Sequence, residues 1–401
     1  MAQRDRSRSQ RKSSAGPRAP TPVAAKRAPL AKHAAEELAL IAGATTTIVF
    51  FTFGRAWLAD LGHSHWAAVI FAWLFAVMVC CAFAVVRHAE ALAELLGEPY
   101  GTLVLTLSVI SIEVTIMAMI MLSGAANPTL PRDTMFAILM IVLNGLVGTT
   151  LVIGAVRHGQ QHYNLQGAIA FLAVIVPLAV LTLVLPTFTQ STYDPTFTRE
   201  QAMVFALLTM LLYGAFLAIQ TSRHRGFFIE PEQNSSSTRL TTTAQHHRPE
   251  GRAALYHTIL LFAALLPVVL LSKPLAKILD YGIEQAGMPT ALGGILIAIL
   301  VLSPEGLATL KAAMANHLQR AVNLSLGSAL STIGLTVPVV LAISVVTGTP
   351  LTLGLDPAEI TLLAVTLITC LMTFSGVPTN ILFGFIHLVL FFAYLLLVFQ
   401  P

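Results

Sequence analysis

Two glutamates stand inside runs that otherwise hold almost nothing polar. Glu113 interrupts 101-GTLVLTLSVISIEVTIMAMIML-122, and Glu305 interrupts 293-GGILIAILVLSPEG-306. An ionisable group at the centre of a membrane-length apolar helix costs about 2.5 kcal/mol or more. A carboxylate kept there is expected to be a ligand. Hard cations take oxygen ligands from carboxylates, carbonyls and hydroxyls. Burial disfavours the charged form of a carboxylate and a nearby cation favours it, so proton and cation compete for the same oxygens.

The residues around the two glutamates recur. Gly101 lies over Gly293, Ser111 over Ser303 and Glu113 over Glu305, all at an offset of 192 residues. The next apolar run also repeats: 144-NGLVGTTLVIG-154 lies over 323-NLSLGSALSTIG-334, placing Asn144 over Asn323, Gly148 over Gly327 and Thr149 over Ser328. Here the offset is 179, read as a connection 13 residues shorter in the second half. Ser111, Ser303, Asn144, Asn323, Thr149 and Ser328 are therefore the candidate neutral oxygens beside the candidate metal ligands Glu113 and Glu305. Pro304 removes a backbone donor and frees a carbonyl one turn earlier. Gly101, Gly124, Gly148 and Gly327 permit close helix approach.

What must position these groups is a membrane-embedded helical bundle. The chain has 401 residues, of which 56% are hydrophobic and 10% charged, with a mean hydropathy of +0.77. Soluble domains carry roughly 25% charged residues, so a soluble fold is excluded. Apolar runs of spanning length, about 17–25 residues, occupy 36–58, 66–86, 101–122, 135–155, 167–186, 201–220, 255–272, 290–310, 321–346, 358–376 and 380–399. That predicts an all-α integral membrane protein of about eleven transmembrane helices. Cys80, Cys81 and Cys370 all lie in these runs, so no surface disulfide framework is expected.

The expected organisation is a disordered basic cytoplasmic tail over 1–35 and a leading transmembrane helix over 36–60. A first five-helix repeat over 61–220, a cytoplasmic loop over 221–254 and a second five-helix repeat over 255–401 follow. Lys and Arg collect on the cytoplasmic side of membranes. An inside N-terminus places 18 of the 23 Lys and Arg inside and 5 outside, which sets the N-terminus cytoplasmic and, with eleven spans, the C-terminus periplasmic. Repeat equivalents then lie five spans apart, and an odd number inverts the second copy. Glu113 lies 12 residues into its run, about 18 Å at 1.5 Å per residue. Glu305 lies equally deep from the opposite face. Two carboxylates at the midplane of an inverted repeat describe the cation site of a secondary transporter. If only a protonated or cation-bound site passes through the occluded state, the two fluxes are coupled as antiport.

The segments GEPYGTLVLTLSVISIEV, SPEGLATLKAAMANHLQ and NLSLGSALSTIGLTVPVV resemble the calcium/proton antiporters of the cation/proton exchanger (CAX) family, most closely the ChaA-type bacterial branch. The resemblance covers nearly the whole chain after residue 36. It implies one leading helix plus two inverted five-helix repeats in the inner membrane, and exchange of calcium, or of sodium and potassium, for protons. It maps the family's repeat glutamates onto Glu113 and Glu305. The family's common Gly-Asn-x-x-Glu pattern is absent: Val109 and Ile110 precede Glu113, and Val301 and Leu302 precede Glu305. The acidic segment that often joins the halves is replaced by a basic loop carrying His224, His246 and His247.

Other polar residues have plainer readings. Serines inside helices commonly bond a carbonyl one turn earlier. Glu98, before Pro99 at a helix start, is a cap that complements the dipole, and His387 in the last span is expected to bond a neighbouring carbonyl. The expected partners are the transported cation (calcium, sodium or potassium), protons and the lipid bilayer; no nucleic acid and no cofactor are expected. The alternatives are a sodium-driven exchanger of the same fold without proton coupling, a channel, and a membrane-embedded enzyme using two carboxylates for acid–base hydrolysis. The enzyme reading asks for a metal-binding His/Asp cluster or a core nucleophile, and the sequence offers neither.

Overall fold

The computed structural model describes residues 37–59, 61, 64–97, 100–122, 127–221, 225–228, 251–376 and 379–400. The basic tail, most of the 221–254 loop, and with them Glu98, Gly124, His224, His246 and His247, lie outside the described residues. Among the described residues, eleven apolar helices follow in order: α1 (Leu38–Ala59), α2 (Ser64–Leu96), α3 (Tyr100–Leu122), α4 (Leu130–His158), α5 (Leu165–Phe188), α6 (Arg199–Thr221), α7 (Gly251–Gln285), α8 (Ala291–Met314), α9 (Leu318–Thr347), α10 (Pro357–Thr373) and α11 (Ile381–Phe399). Ten are long and apolar enough to cross a membrane, and α10 is a shorter apolar helix of 17 residues. The fold is all-α, one leading helix plus two inverted five-helix repeats.

Two helices outrun their apolar stretches. α2 continues about ten residues beyond the expected end at 86, and α7 continues to Gln285. Hydropathy marks the part of a helix that lies in hydrocarbon, whereas backbone hydrogen bonding carries on through Arg87, Glu90 and Glu94 of α2 and through Lys273, Lys277 and Glu284 of α7. These two long helices pack along one another across the seam between the repeats.

Three helices contain a π turn: α4 at Ile141–Leu146, α5 at Val180–Val184 and α9 at Thr332–Thr336. The turns in α5 and α9 sit just ahead of Pro186 and Pro338. Each proline lacks the N–H its own turn requires, so the hydrogen-bond ladder shifts register before it. The turn in α4 has no such proline; it carries Asn144, whose side chain bonds other helices.

Close packing brings the site helices into place. A Cβ on Gly294 of α8 would lie 2.6 Å from the Asp133 carbonyl carbon of α4, so these backbones touch directly. Gly148 of α4 and Gly384 of α11 meet in the same way, each facing the other's carbonyl oxygen at about 3 Å. At one face the extended segment 348–356 tucks back into the bundle. Thr352, Gly354 and Leu355 donate their N–H groups to the carbonyls of Pro128, Pro195 and Leu183, and Leu351, Leu353 and Leu355 are buried. The buried Arg132 pairs with Asp133 at 2.9 Å and donates to the Gly354 carbonyl at 2.9 Å.

Candidate functional site

Glu113 on α3 and Glu305 on α8 both turn toward α9. The Ser328 hydroxyl donates to Glu305 Oε2 at 2.5 Å, and the Thr332 hydroxyl donates to Glu113 Oε2 at 2.9 Å. Ser328 and Thr332 are four residues apart, so they stand on one face of α9 in successive turns. Thr336 continues the stripe one turn further. Its hydroxyl approaches Glu113, yet it makes no sound hydrogen bond, and neither does Glu113 Oε1. Both atoms are buried, and Glu113 is only 4% exposed. An orphaned carboxylate oxygen beside an orphaned hydroxyl is unfavourable unless something occupies the pair. Both are hard oxygen donors, the kind a proton or an alkali or alkaline-earth cation uses.

The two carboxylates differ in access. A cavity of about 480 Å³ runs from the face where α2 and α6 end and α7 and α9 begin, the loop face, down to Glu305. Its walls include Glu90 of α2, Thr106 of α3, Gln220 of α6, and Arg320, Asn323 and Ser328 of α9. Glu113 does not line it. At the opposite face, the 348–356 segment and the Arg132–Asp133 pair fill the bundle.

The remaining candidates do not join the carboxylates. Ser111 bonds the Leu107 carbonyl at 2.6 Å, Ser303 the Ile299 carbonyl at 2.5 Å and Thr149 the Gly145 carbonyl at 2.7 Å. Each hydroxyl is satisfied within its own helix, as the back-bonding reading expects. Asn323 lies on the cavity wall near the loop face, donating to the Phe228 carbonyl and accepting from Gln319. Asn144 is fully buried on the far side of α4, donating to Thr366 of α10 at 2.8 Å and bonding His387 of α11 at 3.2 Å. His387 also meets the Thr373 hydroxyl at 2.9 Å, so it joins two side chains rather than ending on a carbonyl alone.

The pairing of Asn144 with Asn323 is therefore corrected. α4 and α9 begin 188 residues apart, and their π turns at Ile141 and Thr332 begin 191 apart. Both spacings lie close to the 192 that relates the glutamates, and far from 179. At 192, Ser328, Thr332 and Thr336 stand over Phe136, Met140 and Asn144. The shared letters Asn-x-x-x-Gly belong to different depths of the two helices. Thr332 and Thr336 were legible in LGSALSTIGLTVP as hydroxyls at i, i+4 and i+8 from Ser328, a spacing that outranks a match of letters.

Comparison with known proteins identifies the family. The model for "Sodium/calcium exchanger protein" matches residues 66–222 and 256–400. The chain is 42% identical over 318 residues to the sodium-potassium/proton antiporter ChaA of Escherichia coli (strain K12), covering 79% of this chain and 85% of that one. It is 45% identical over 316 residues to a putative ionic transporter, y4hA, of Sinorhizobium fredii (strain NBRC 101917 / NGR234), covering 79% and 84%. The solved structure of native YfkE superposes with a TM-score of 0.68 at 17% identity, over 91% of this chain and all of that one. These matches extend over most of the chain and show that it belongs to the sodium/calcium exchanger protein family.

Proposed function

We propose that the protein is a secondary active antiporter that exchanges a cation (calcium, sodium or potassium) for protons across the inner membrane by alternating access at Glu113 and Glu305. One observation carries this reading. A buried carboxylate, Glu113, and a half-buried one, Glu305, are held by successive hydroxyls of one helix, and the cavity reaches Glu305 from one face while the opposite face is packed. Access from a single side is what alternating access requires, and a channel would need an opening to both. The name of the relative at 42% identity, a sodium-potassium/proton antiporter, supports including the monovalent cations beside calcium.

The chemistry follows from the oxygens. A cation arriving through the cavity meets Glu305 first, and the Ser328 hydroxyl rotates its proton away and offers an oxygen in its place. Glu113 Oε1 and Thr336 Oγ1, both unpaired, complete the donor set deeper in the bundle. When the cation leaves, protons take its place on the carboxylates, so each site is neutralised by one occupant or the other. In this orientation the N-terminus is cytoplasmic, the C-terminus periplasmic and the cavity opens to the cytoplasm. The protein is read as a transporter and not an enzyme.

The test is proton flux in everted vesicles against a panel of calcium, sodium, potassium and magnesium, with and without an imposed pH gradient. Cation-dependent proton movement that Glu113→Gln and Glu305→Gln each remove is the expected result. Cation exchange indifferent to the pH gradient establishes sodium-driven exchange instead, and uncoupled flow down the cation gradient establishes a channel.

A further inference from the structure

A second group of ionisable side chains lies at the loop-face ends of α1, α2 and α7, apart from the carboxylate site. His88 of α2 is 2% exposed, and its Nδ1 lies 3.1 Å from Nδ1 of His257 of α7. On its other side, His88 Nε2 lies 3.9 Å from Glu37 Oε2, immediately before α1, and 3.5 Å from Arg87 Nη2. Tyr256 of α7 donates to the other Glu37 oxygen at 3.1 Å. Glu37 Oε2 itself is buried without a hydrogen-bond partner. The ionisable groups that face His88 among the described residues include Glu37 ahead of α1, His257 of α7 and Arg87 on α2, with Tyr256 bonded to Glu37 behind them.

We infer that Glu37, His88 and His257 form a proton-operated clasp that fixes the loop-face ends of α1, α2 and α7 and so sets the entrance to the cavity. A contact between two Nδ1 atoms holds one proton, because one nitrogen donates and the other must keep its lone pair. A first added proton goes to an outer nitrogen: on His88 Nε2 it displaces the Arg87 N–H and turns toward the Glu37 oxygen, and the contact between the rings survives. A second proton must go to the accepting Nδ1. Two N–H groups then face one another between two cations, and the clasp opens. Acidification of the loop face is therefore the releasing signal.

The clasp acts on the cavity through α2. Val86 and Glu90 of α2 line the cavity, and His88 falls between them in sequence, so it projects from the opposite side of the helix toward α7. Freeing His88 frees the wall that carries Val86 and Glu90, and the approach to Glu305 loses its shape. Transport then slows because fewer molecules present a formed entrance, which lowers the maximal rate. Proton competition at the carboxylates instead raises the half-saturating cation concentration.

Two measurements on the full-length protein test this, and the first does not depend on the antiport reading. Spin labels at Glu94→Cys and Arg252→Cys, in a background with Cys80, Cys81 and Cys370 replaced by Ser, report the separation of the α2 and α7 ends. The separation should widen or broaden as the loop-face pH is lowered. His257→Gln keeps a donor without a titrating group and should abolish that change; an unchanged pH response in His257→Gln overturns the clasp. The second measurement is maximal transport rate against loop-face pH in reconstituted vesicles. The wild type should lose rate several-fold on acidification, and His257→Gln should hold its rate. Glu37→Gln, which withdraws the anion favouring the charged rings, should move the loss to lower pH. His257→Phe, which cannot clasp at all, should be slow throughout. If His257→Phe fails to insert, the Gln variants still decide: a wild-type acid limb in both overturns the proposal. Distance changes without antiport keep the clasp and discard the transport reading, whereas antiport without distance changes does the reverse.

Discussion

In the second half of the molecule, α9 presents Ser328, Thr332 and Thr336 to the carboxylates. In the first half, the offset of 192 that relates the two glutamates sets Phe136, Met140 and Asn144 of α4 over those three residues. Phe136 is buried against Tyr394, the buried Met140 accepts from Asn144 and Thr366 through its sulfur, and Asn144 faces away, tied to Thr366 and His387. Both glutamates therefore draw their hydrogen bonds from the second half, although one of them belongs to the first. An inverted repeat supplies two equivalent scaffolds, but equivalence of backbone does not oblige equivalence of chemistry. The α4 copy has become a packing element locked to α10 and α11, and the α9 copy supplies the oxygens.

The largest effect tests whether the two carboxylates are equal despite this asymmetry. Glu113→Gln and Glu305→Gln should each abolish exchange while insertion persists, because size is kept and the titrating charge is lost. Cation movement against a proton gradient by either variant would show that the halves contribute unequally at the charge itself.

The hydroxyl stripe comes next. Thr332→Val and Ser328→Ala should each raise the half-saturating cation concentration about tenfold, the equivalent of about 1.4 kcal/mol. Met140→Leu, at the matching position of α4, should leave it unchanged. Equal losses from α4 and α9 variants would erase the distinction between the two helices.

His387→Leu sharpens the other side of the comparison. It strips a partner from Asn144 and from Thr373, both fully buried, at a cost of about 1–3 kcal/mol. Thermal unfolding of the purified protein should shift downward while the half-saturating concentration stays put. A change in cation affinity at unchanged stability would place the α4 network inside the transport site.

Acidity on the cavity side gives a graded test. Protons and cations share the carboxylates, so the half-saturating concentration should rise as that side is acidified. A value indifferent to pH would assign protons and cations to separate paths. The smallest effects on cation affinity are expected from Ser111→Ala, Ser303→Ala, Thr149→Val and Asn323→Ala. The three hydroxyl variants stay within roughly 0.5 kcal/mol of the parent stability, whereas Asn323→Ala strips partners from the buried Gln319 amide and the Phe228 carbonyl at about 1–3 kcal/mol. All four are satisfied away from the carboxylates. A marked loss of cation affinity in one of them would return it to the site.

The helices were legible because hydrocarbon admits little besides a helix with its backbone bonds closed. The eleven apolar runs fall within the observed helices or within a few residues of their ends, and the two large mismatches, α2 and α7, extend through polar residues that hydropathy does not score. The glutamates were legible for the same reason, since a charge in an apolar run stands out against its cost. Ser328 was found as a candidate, but through an alignment that misplaced its partner. Thr332 and Thr336 were missed because hydroxyls are common in membrane helices and most of them, like Ser111 and Thr149, bond only their own backbone.

Composition, the apolar runs and the segments repeated 192 residues apart were enough to establish a membrane bundle built on a repeat, and they singled out two glutamates as its candidate site. These are properties of single helices and their order along the chain. Which hydroxyls face those carboxylates depends on the rotation of α9 about its axis, and on a π turn set by Pro338 and by the neighbours α3 and α8. Nor is the meeting of His88 with Glu37 and His257 written in any local pattern: the two histidines are separated by 169 residues and are joined only where α1, α2 and α7 pack. Side-chain partnerships across helices are decided by the packing of close-fitting surfaces, which the one-dimensional pattern constrains but does not encode.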